Sequence, residues 1–372
     1  HQRVTCMKRT LQFLSVLTLT LATVQAAVSN IRSDEELVFF PAVCYETPDG
    51  NGWDVKITGC VFERENRRAA RAVLSRAVGI DRDTLTESER EIFDRRVGLF
   101  FVDNQRGKRV VIRIGGRTFT AEKSEPNGHF EGSIRLSAQE IRQHAITNEA
   151  GFMKLPFQAV LPAKDTRRME GEASFIQDRG VAVVSDIDDT IKISEVLDRK
   201  ALLRNTFVNP FRPVPGMAPV FAEWSREPDT QFFYVSASPW QLYEPLAEFV
   251  QTNGFPSGVF LLKEFRWKDR TFWNLFADPE RYKTERIEGI IKQVPKRRFV
   301  LVGDSGERDP EAYGELARRF PKQVVRIVIR DVTSEPLESD RYRRAFRSVP
   351  KDTVILFTNV TEIPIRFPAS RN

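Results

Sequence analysis

The chain has 372 residues, enough for two domains that each bury a core. Hydrophobic residues make up 41% and charged residues 29%, an ordinary globular balance. The formal net charge of +6 suits acidic partners, whether phosphorylated substrates or anionic lipid, and no basic run is dense enough to argue for nucleic acid.

Met7-Lys8-Arg9 is followed by an apolar stretch, Leu11 to Ala22, and then by Val24-Gln25-Ala26. A positive start, a short apolar centre and small residues predict a signal peptide over 7–26, cleaved after Ala26. The alternatives are an uncleaved anchor and a buried helix. The stretch is too short to span a bilayer comfortably. The expectation is an exported chain, periplasmic or secreted, with no transmembrane span once mature. Cleavage leaves Cys44 and Cys60, which flank the turn Pro48-Asp49-Gly50-Asn51-Gly52. Two cysteines across a hairpin in an exported protein suggest a disulfide, with two buried thiols as the alternative.

Residues 36–175 read as a β-rich N-terminal domain. Val55 to Phe62 partly alternates. Val110 to Ile114 and Arg117 to Thr120 flank Gly115-Gly116, a hairpin signal. Pro126-Asn127-Gly128 turns the chain before Phe130 to Leu136, and Phe152 to Leu161 reads as a further strand. This meander predicts a β-sandwich-like domain. One helix is expected from Arg67 to Val78, capped by Asn66 and stopped by Gly79. Its arginines suit either a solvated face or an anionic lipid surface.

Residues 176–365 alternate strands and helices. Short apolar runs end at Ser185, Val235, Leu262, Val302 and Ile329, with helical stretches such as Gln241 to Asn253 and Tyr282 to Gln293 between most of them. This pattern predicts an α/β fold, a Rossmann-like parallel sheet covered on both faces. In such folds the chemistry sits at the carboxyl ends of the strands.

The first run ends in Asp186-Ile187-Asp188-Asp189-Thr190. Two carboxylates at this spacing can face one crevice, where they repel unless a cation or a proton sits between them. A hard divalent cation resolves this, and Mg2+ suits an all-oxygen site. Asp186 is then a candidate covalent nucleophile for a phosphoryl group. Asp188 is a candidate acid for the leaving alcohol and base for water. The second run ends in Ser236-Ala237-Ser238-Pro239. Ser236 can donate to a phosphate oxygen, or either serine can cap the following helix. Lys283 is the candidate cation over the phosphoryl group, with Lys263 as competitor. The fourth run ends in Gly303-Asp304-Ser305-Gly306-Glu307-Arg308-Asp309-Pro310. Asp304 stands where a second metal carboxylate is needed, and Asp309 can bind through water or hold the first ligands in place.

The order of these segments resembles the haloacid dehalogenase superfamily of aspartate-nucleophile phosphatases. Asp186 to Lys192, Ser236 to Tyr243 and Gly303 to Glu311 are more closely similar to the catalytic domain of the actin-patch phosphatidate phosphatases, which is related to lipins. The resemblance covers roughly residues 175 to 335. It implies Asp186 as nucleophile and metal ligand. It implies Asp188 as acid/base, with its backbone carbonyl on the Mg2+. The implied phosphate-binding set is Ser236, Lys283 and Thr190, and the implied metal set is Asp186, Asp188, Asp304 and Asp309. Ala237 departs from the family, where many relatives carry a polar Asn.

The gaps from Thr190 to Ser236 and from Ser236 to Lys283 leave little or no room for a cap domain. An open site suits a lipid phosphate substrate at a membrane surface, with peripheral membrane contact. Phe265, Trp267, Phe272, Trp273 and Phe276, interleaved with Arg266, Lys268 and Arg270, suit such an interface, or buried packing. Two other readings stand beside phosphatidate hydrolysis: a phosphatase for phosphoproteins or other large phosphomonoesters, and a silent phosphatidate-binding module.

Overall fold

The computed structural model describes residues 27–64, 79–100, 102–147, 153–263 and 279–367. The expected signal peptide, the Arg67 to Val78 helix and the aromatic and basic loop after Lys263 lie outside the described residues. Among the described residues no helix is long and apolar enough to cross a membrane.

The first half runs through β1 (Glu35–Phe39), β2 (Ala42–Glu46), β3 (Gly52–Arg64), α1 (Glu87–Gly98), β4 (Val102–Asn104), β5 (Val111–Ile114), β6 (Arg117–Thr120) and β7 (His129–Ser137). It continues through α2 (Ala138–His144), β8 (Ile146–Thr147), β9 (Met153–Ala159) and β10 (Glu170–Ile176). The hairpin predicted at Gly115-Gly116 is present, and the turn predicted before Phe130 leads into β7, which pairs with β3. These ten strands join in one hydrogen-bonded sheet, which is mixed because β2 and β10 run parallel. The long strand β3 organises it. One edge pairs with β7, and the other pairs first with β2 and then with β1.

Cys44 stands opposite Val55, whereas Cys60 stands opposite Val38 and His129, further along β3. The two sulfurs do not bridge, which corrects the disulfide suggested by the hairpin. Both are buried, and burial pushes the Cys44 thiol well up.

The second half contains β11 (Val181–Ser185), α3 (Arg199–Phe207), α4 (Met217–Ser225), β12 (Gln231–Pro239), α5 (Tyr243–Thr252), β13 (Gly258–Lys263), α6 (Pro279–Gln293) and β14 (Arg298–Asp304). After these come α7 (Asp309–Arg319), β15 (Val324–Arg330), α8 (Asp340–Ala345) and β16 (Val354–Phe357). Six parallel strands form the order β13-β12-β11-β14-β15-β16. Alternate residues of each central strand enter two separate cores. Val181 and Val183 join Phe232, Tyr234, Val300 and Val302 on one face, while Ala182 and Val184 join Phe233, Val235, Phe299 and Leu301 on the other. Both faces are covered, which is why the strand runs are continuously apolar. The chain moves outward from β11 through β12 and β13, then returns to the far side of β11 as β14. The switch between β11 and β14 opens a crevice at their carboxyl ends.

The helix α1 was not expected. Thr86 and Glu89 form a capping box at its start, but only Phe93, Arg96 and Val97 are buried, too few to mark an apolar stripe. Phe93 and Val97 pack into the parallel sheet's core. Arg96 donates to the carbonyls of Thr206 (2.9 Å) and Asn209 (2.8 Å). The two halves also meet where Phe40, Phe62 and His129 surround Trp240, with ring centroids 5.2, 6.1 and 5.8 Å away.

Candidate active site

The crevice between β11 and β14 collects most of the polar residues singled out in the sequence. Asp186 leaves the end of β11 and is 1% exposed. Thr190 Oγ1 donates to its Oδ2 (3.1 Å), and Lys283 Nζ lies 2.8 Å from its Oδ1. Asp304 ends β14 and is fully buried; the backbone N–H groups of Gly306 (2.6 Å) and Glu307 (3.2 Å) donate to its Oδ1. Its other oxygen, Oδ2, is buried and has no hydrogen-bond partner among the described residues.

Lys283, near the start of α6, is 1% exposed and is ringed by carboxylates: Asp186 at 2.8 Å, Glu307 at 2.8 Å and Asp309 at 2.6 Å. Burial alone would lower its pKa, but Asp186, Asp309 and Glu307 outweigh it and hold the ammonium charged. Of the two lysines weighed in the sequence, Lys283 therefore reaches the nucleophile candidate, while Lys263 sits half-buried at the end of β13. Asp309 Oδ2 accepts from the backbone N–H of Asp304 (3.2 Å). Gly303 makes room for it, since any side-chain carbon there would collide with the Asp309 carboxylate. Asp309 thus holds Lys283 and the end of β14.

Asp188 points the other way. Its Oδ1 lies 2.8 Å from Lys192 Nζ and accepts from Ser194 Oγ (2.6 Å); its Oδ2 accepts from Ser236 Oγ (3.2 Å) and Ser238 Oγ (3.0 Å). Burial would raise its pKa, but the Lys192 ammonium and these donors win and hold it at about 2. Lys192 is 2% exposed, also contacts Ser194 Oγ, and sits 4.9 Å from the Phe211 ring centre. Ser236 Oγ accepts from the N–H of Ser238 (2.9 Å), and neither serine caps the following helix.

Asp189 shapes the loop. It holds a left-handed φ of 53°, uncommon for a residue with a side chain. Its carboxylate accepts from three consecutive backbone N–H groups, Ser194 (2.8 Å), Glu195 (2.9 Å) and Val196 (2.6 Å). Arg330, at the end of β15, donates to its carbonyl (2.7 Å).

Oxygens of Asp186, Asp304 and Glu307 lie within 4.8 Å of one another. Burial, together with the neighbouring carboxylates, pushes Asp186, Asp304 and Glu307 above the usual carboxylate range, and for all three this occurs despite Lys283. Such a set is costly without a cation or protons. The donors are all oxygen, and the unpartnered Asp304 Oδ2 is a ready ligand. These residues fit a hard divalent cation such as Mg2+. Glu307 was not assigned a role in the sequence, although it follows Asp304 by three residues in the quoted segment; Lys192 and Ser194 likewise emerge only from the geometry.

Residues 181–331 match the family model described as "Phosphatidate phosphatase APP1, catalytic domain". Phosphatidate phosphatase APP1 of Saccharomyces cerevisiae is 37% identical over 161 residues, covering 42% of this chain and 27% of its own length. An uncharacterized protein of Schizosaccharomyces pombe is 30% identical over 169 residues, covering 44% of this chain and 27% of its own. The chain therefore spans little more than a quarter of these relatives. Ferredoxin-NADP+ reductase from Plasmodium falciparum with 2'P-AMP aligns over 82% of this chain and 98% of its own, at 6% identity and a TM-score of 0.19, too weak a likeness to carry an argument. Within the chain, the segment 181–331 is thus similar to the catalytic domain of the actin-patch-type phosphatidate phosphatases.

Proposed function

We propose that residues 176–365 are a Mg2+-dependent phosphatase of the haloacid dehalogenase type. It hydrolyses phosphatidate, or a similar lipid phosphate, to diacylglycerol and phosphate. The observation that carries this reading is the placement of Asp186. Its carboxylate is oriented by Thr190, paired with Lys283 and set beside Asp304 and Glu307. The family match supports the substrate class.

Asp186, Asp304 and Glu307 would hold the Mg2+. The bound ion would supply positive charge that lets a carboxylate approach a phosphate. An Asp186 oxygen then attacks phosphorus, the bond to the lipid oxygen breaks, and an aspartyl phosphate forms. Lys283 and Ser236 hold the phosphoryl oxygens. Asp188 protonates the departing lipid oxygen. At rest it is a carboxylate held by Lys192, and an arriving phosphate adds the negative charge that favours its protonation. In the second step Asp188 takes a proton from water, the water oxygen bonds to phosphorus, and the Asp186–phosphorus bond breaks.

The first gap, from Thr190 to Ser236, holds α3 and α4, and both contribute to the core. This favours an uncapped, open site and a substrate presented by a membrane surface, which suits export to an envelope or the exterior. The test is phosphate release from phosphatidate in mixed micelles with Mg2+, comparing the intact chain with Asp186→Asn. The variant should lose activity on the order of 10^3-fold or more while still folding. Turnover of a soluble aryl phosphate but not of lipid would overturn the lipid assignment. Lipid binding without turnover by the intact chain would point to a silent binding module.

A further inference from the structure

We propose that Arg341, which lies beyond the family-matched segment ending at 331, is a positioning residue for the metal-carboxylate turn Asp304 to Glu307. It sits on α8, and its side chain is only 21% exposed. Its fork faces the turn: Nη1 donates to the carbonyl of Ser305 and Nη2 to the carbonyl of Glu307, both at 2.6 Å. On the other side Nε and Nη2 donate to the two oxygens of Glu311 (3.0 and 3.2 Å). A planar guanidinium anchored at its back by a carboxylate presents its remaining donors in a fixed direction.

The link to the site runs through one peptide plane. The carbonyl of Ser305 and the N–H of Gly306 belong to the same trans peptide, so they point to opposite sides. Arg341 holds the carbonyl, and Asp304 Oδ1 receives the N–H (2.6 Å). Fixing the rotation of that plane fixes the donor that orients Asp304, and with it the direction of the unpartnered Oδ2. The second carbonyl that Arg341 holds belongs to Glu307, the other turn residue in the carboxylate cluster. The hydroxyl of Ser305 accepts from the N–H groups of Val332 (2.8 Å) and Thr333 (3.1 Å), so the turn has a second anchor and should not collapse when Arg341 is changed.

This inference rests on the Mg2+ reading of the site, and the test separates the two. Mg2+ binding is measured by titration calorimetry on the intact chain, on Arg341→Ala, on Arg341→Lys and on Arg343→Ala. Arg343 lies on the same helix, is 70% exposed and pairs only with Asp340 among the described ion pairs. Arg341→Ala should bind Mg2+ about 10- to 100-fold more weakly, and raising Mg2+ should restore most of its phosphate release. Arg341→Lys, which can reach one carbonyl, should fall between, and Arg343→Ala should match the intact chain. If Arg341→Ala does not fold, Arg341→Lys and Glu311→Gln carry the test, each with weakened binding. Unchanged Mg2+ affinity with a lowered melting temperature would overturn the inference and leave Arg341 a structural residue only. No Mg2+ binding by the intact chain would remove the metal reading, and the inference with it.

Discussion

Asp188 and Lys192 show how two charges can share a buried site. Neither is tolerable alone: removing one partner of a buried pair typically costs about 3–5 kcal/mol, because the other charge is left uncompensated. Asp188 is held at about 2, below the ordinary 3.8. A depressed folded-state pKa contributes stability above the unfolded value and loses it as pH falls through the folded one. The window here runs from about pH 4 down to about pH 2, and the contribution is on the order of 2 kcal/mol. Lys192→Met should therefore be destabilised by about 3–5 kcal/mol at pH 7 in urea unfolding. Its deficit should shrink on acidification, as Asp188 takes up a proton. A deficit independent of pH would show that Lys192 acts through packing on Phe211 rather than through Asp188.

At the level of elements, legibility followed how local the signal was. The parallel strands could be read because burial on both faces forces runs such as Val181 to Val184 to be wholly apolar. The strand-end residues Asp186 and Asp304 followed directly from those runs. Glu307 did not, because its direction depends on how the Ser305 to Glu307 turn is rotated, which Arg341 determines from a distant helix. The cysteine register could not be read either, since a hairpin turn does not specify which β3 residue stands opposite Cys44. Helix α1 was hidden for another reason: two buried apolar side chains among charged neighbours make no periodic stripe. Its packing is nonetheless substantial. Phe93 is fully buried in the core of the parallel sheet, so Phe93→Ala should cost about 3–5 kcal/mol in urea unfolding. A loss below about 1 kcal/mol would mean that α1 does not form part of that core.

Across the whole molecule, the two halves are not separable at residue 176. Ile80, Leu85, Phe93, Val97 and Phe100 share a core with Phe207, Leu246 and Phe249 of the second half. Arg96 satisfies two carbonyls there, and Arg95 and Glu89 form ion pairs with Glu248 (2.8 Å) and Arg204 (2.6 Å). The ion pairs are exposed and contribute little, whereas the apolar side chains and the Arg96 hydrogen bonds carry the interface. Cutting the chain at 176 would uncover that apolar face and leave the carbonyls of Thr206 and Asn209 to water. The segment 176–365 expressed alone should therefore be less stable than the intact chain by several kcal/mol, or insoluble, even though it holds Asp186, Lys283, Asp304 and Glu307. Soluble yield and urea midpoints of the segment and the intact chain would measure this. A midpoint equal to that of the intact chain's most stable transition would show that residues 80–100 only decorate the parallel sheet. A lower midpoint with Mg2+ binding retained would show that the first half supports the site by stabilising the sheet beneath it.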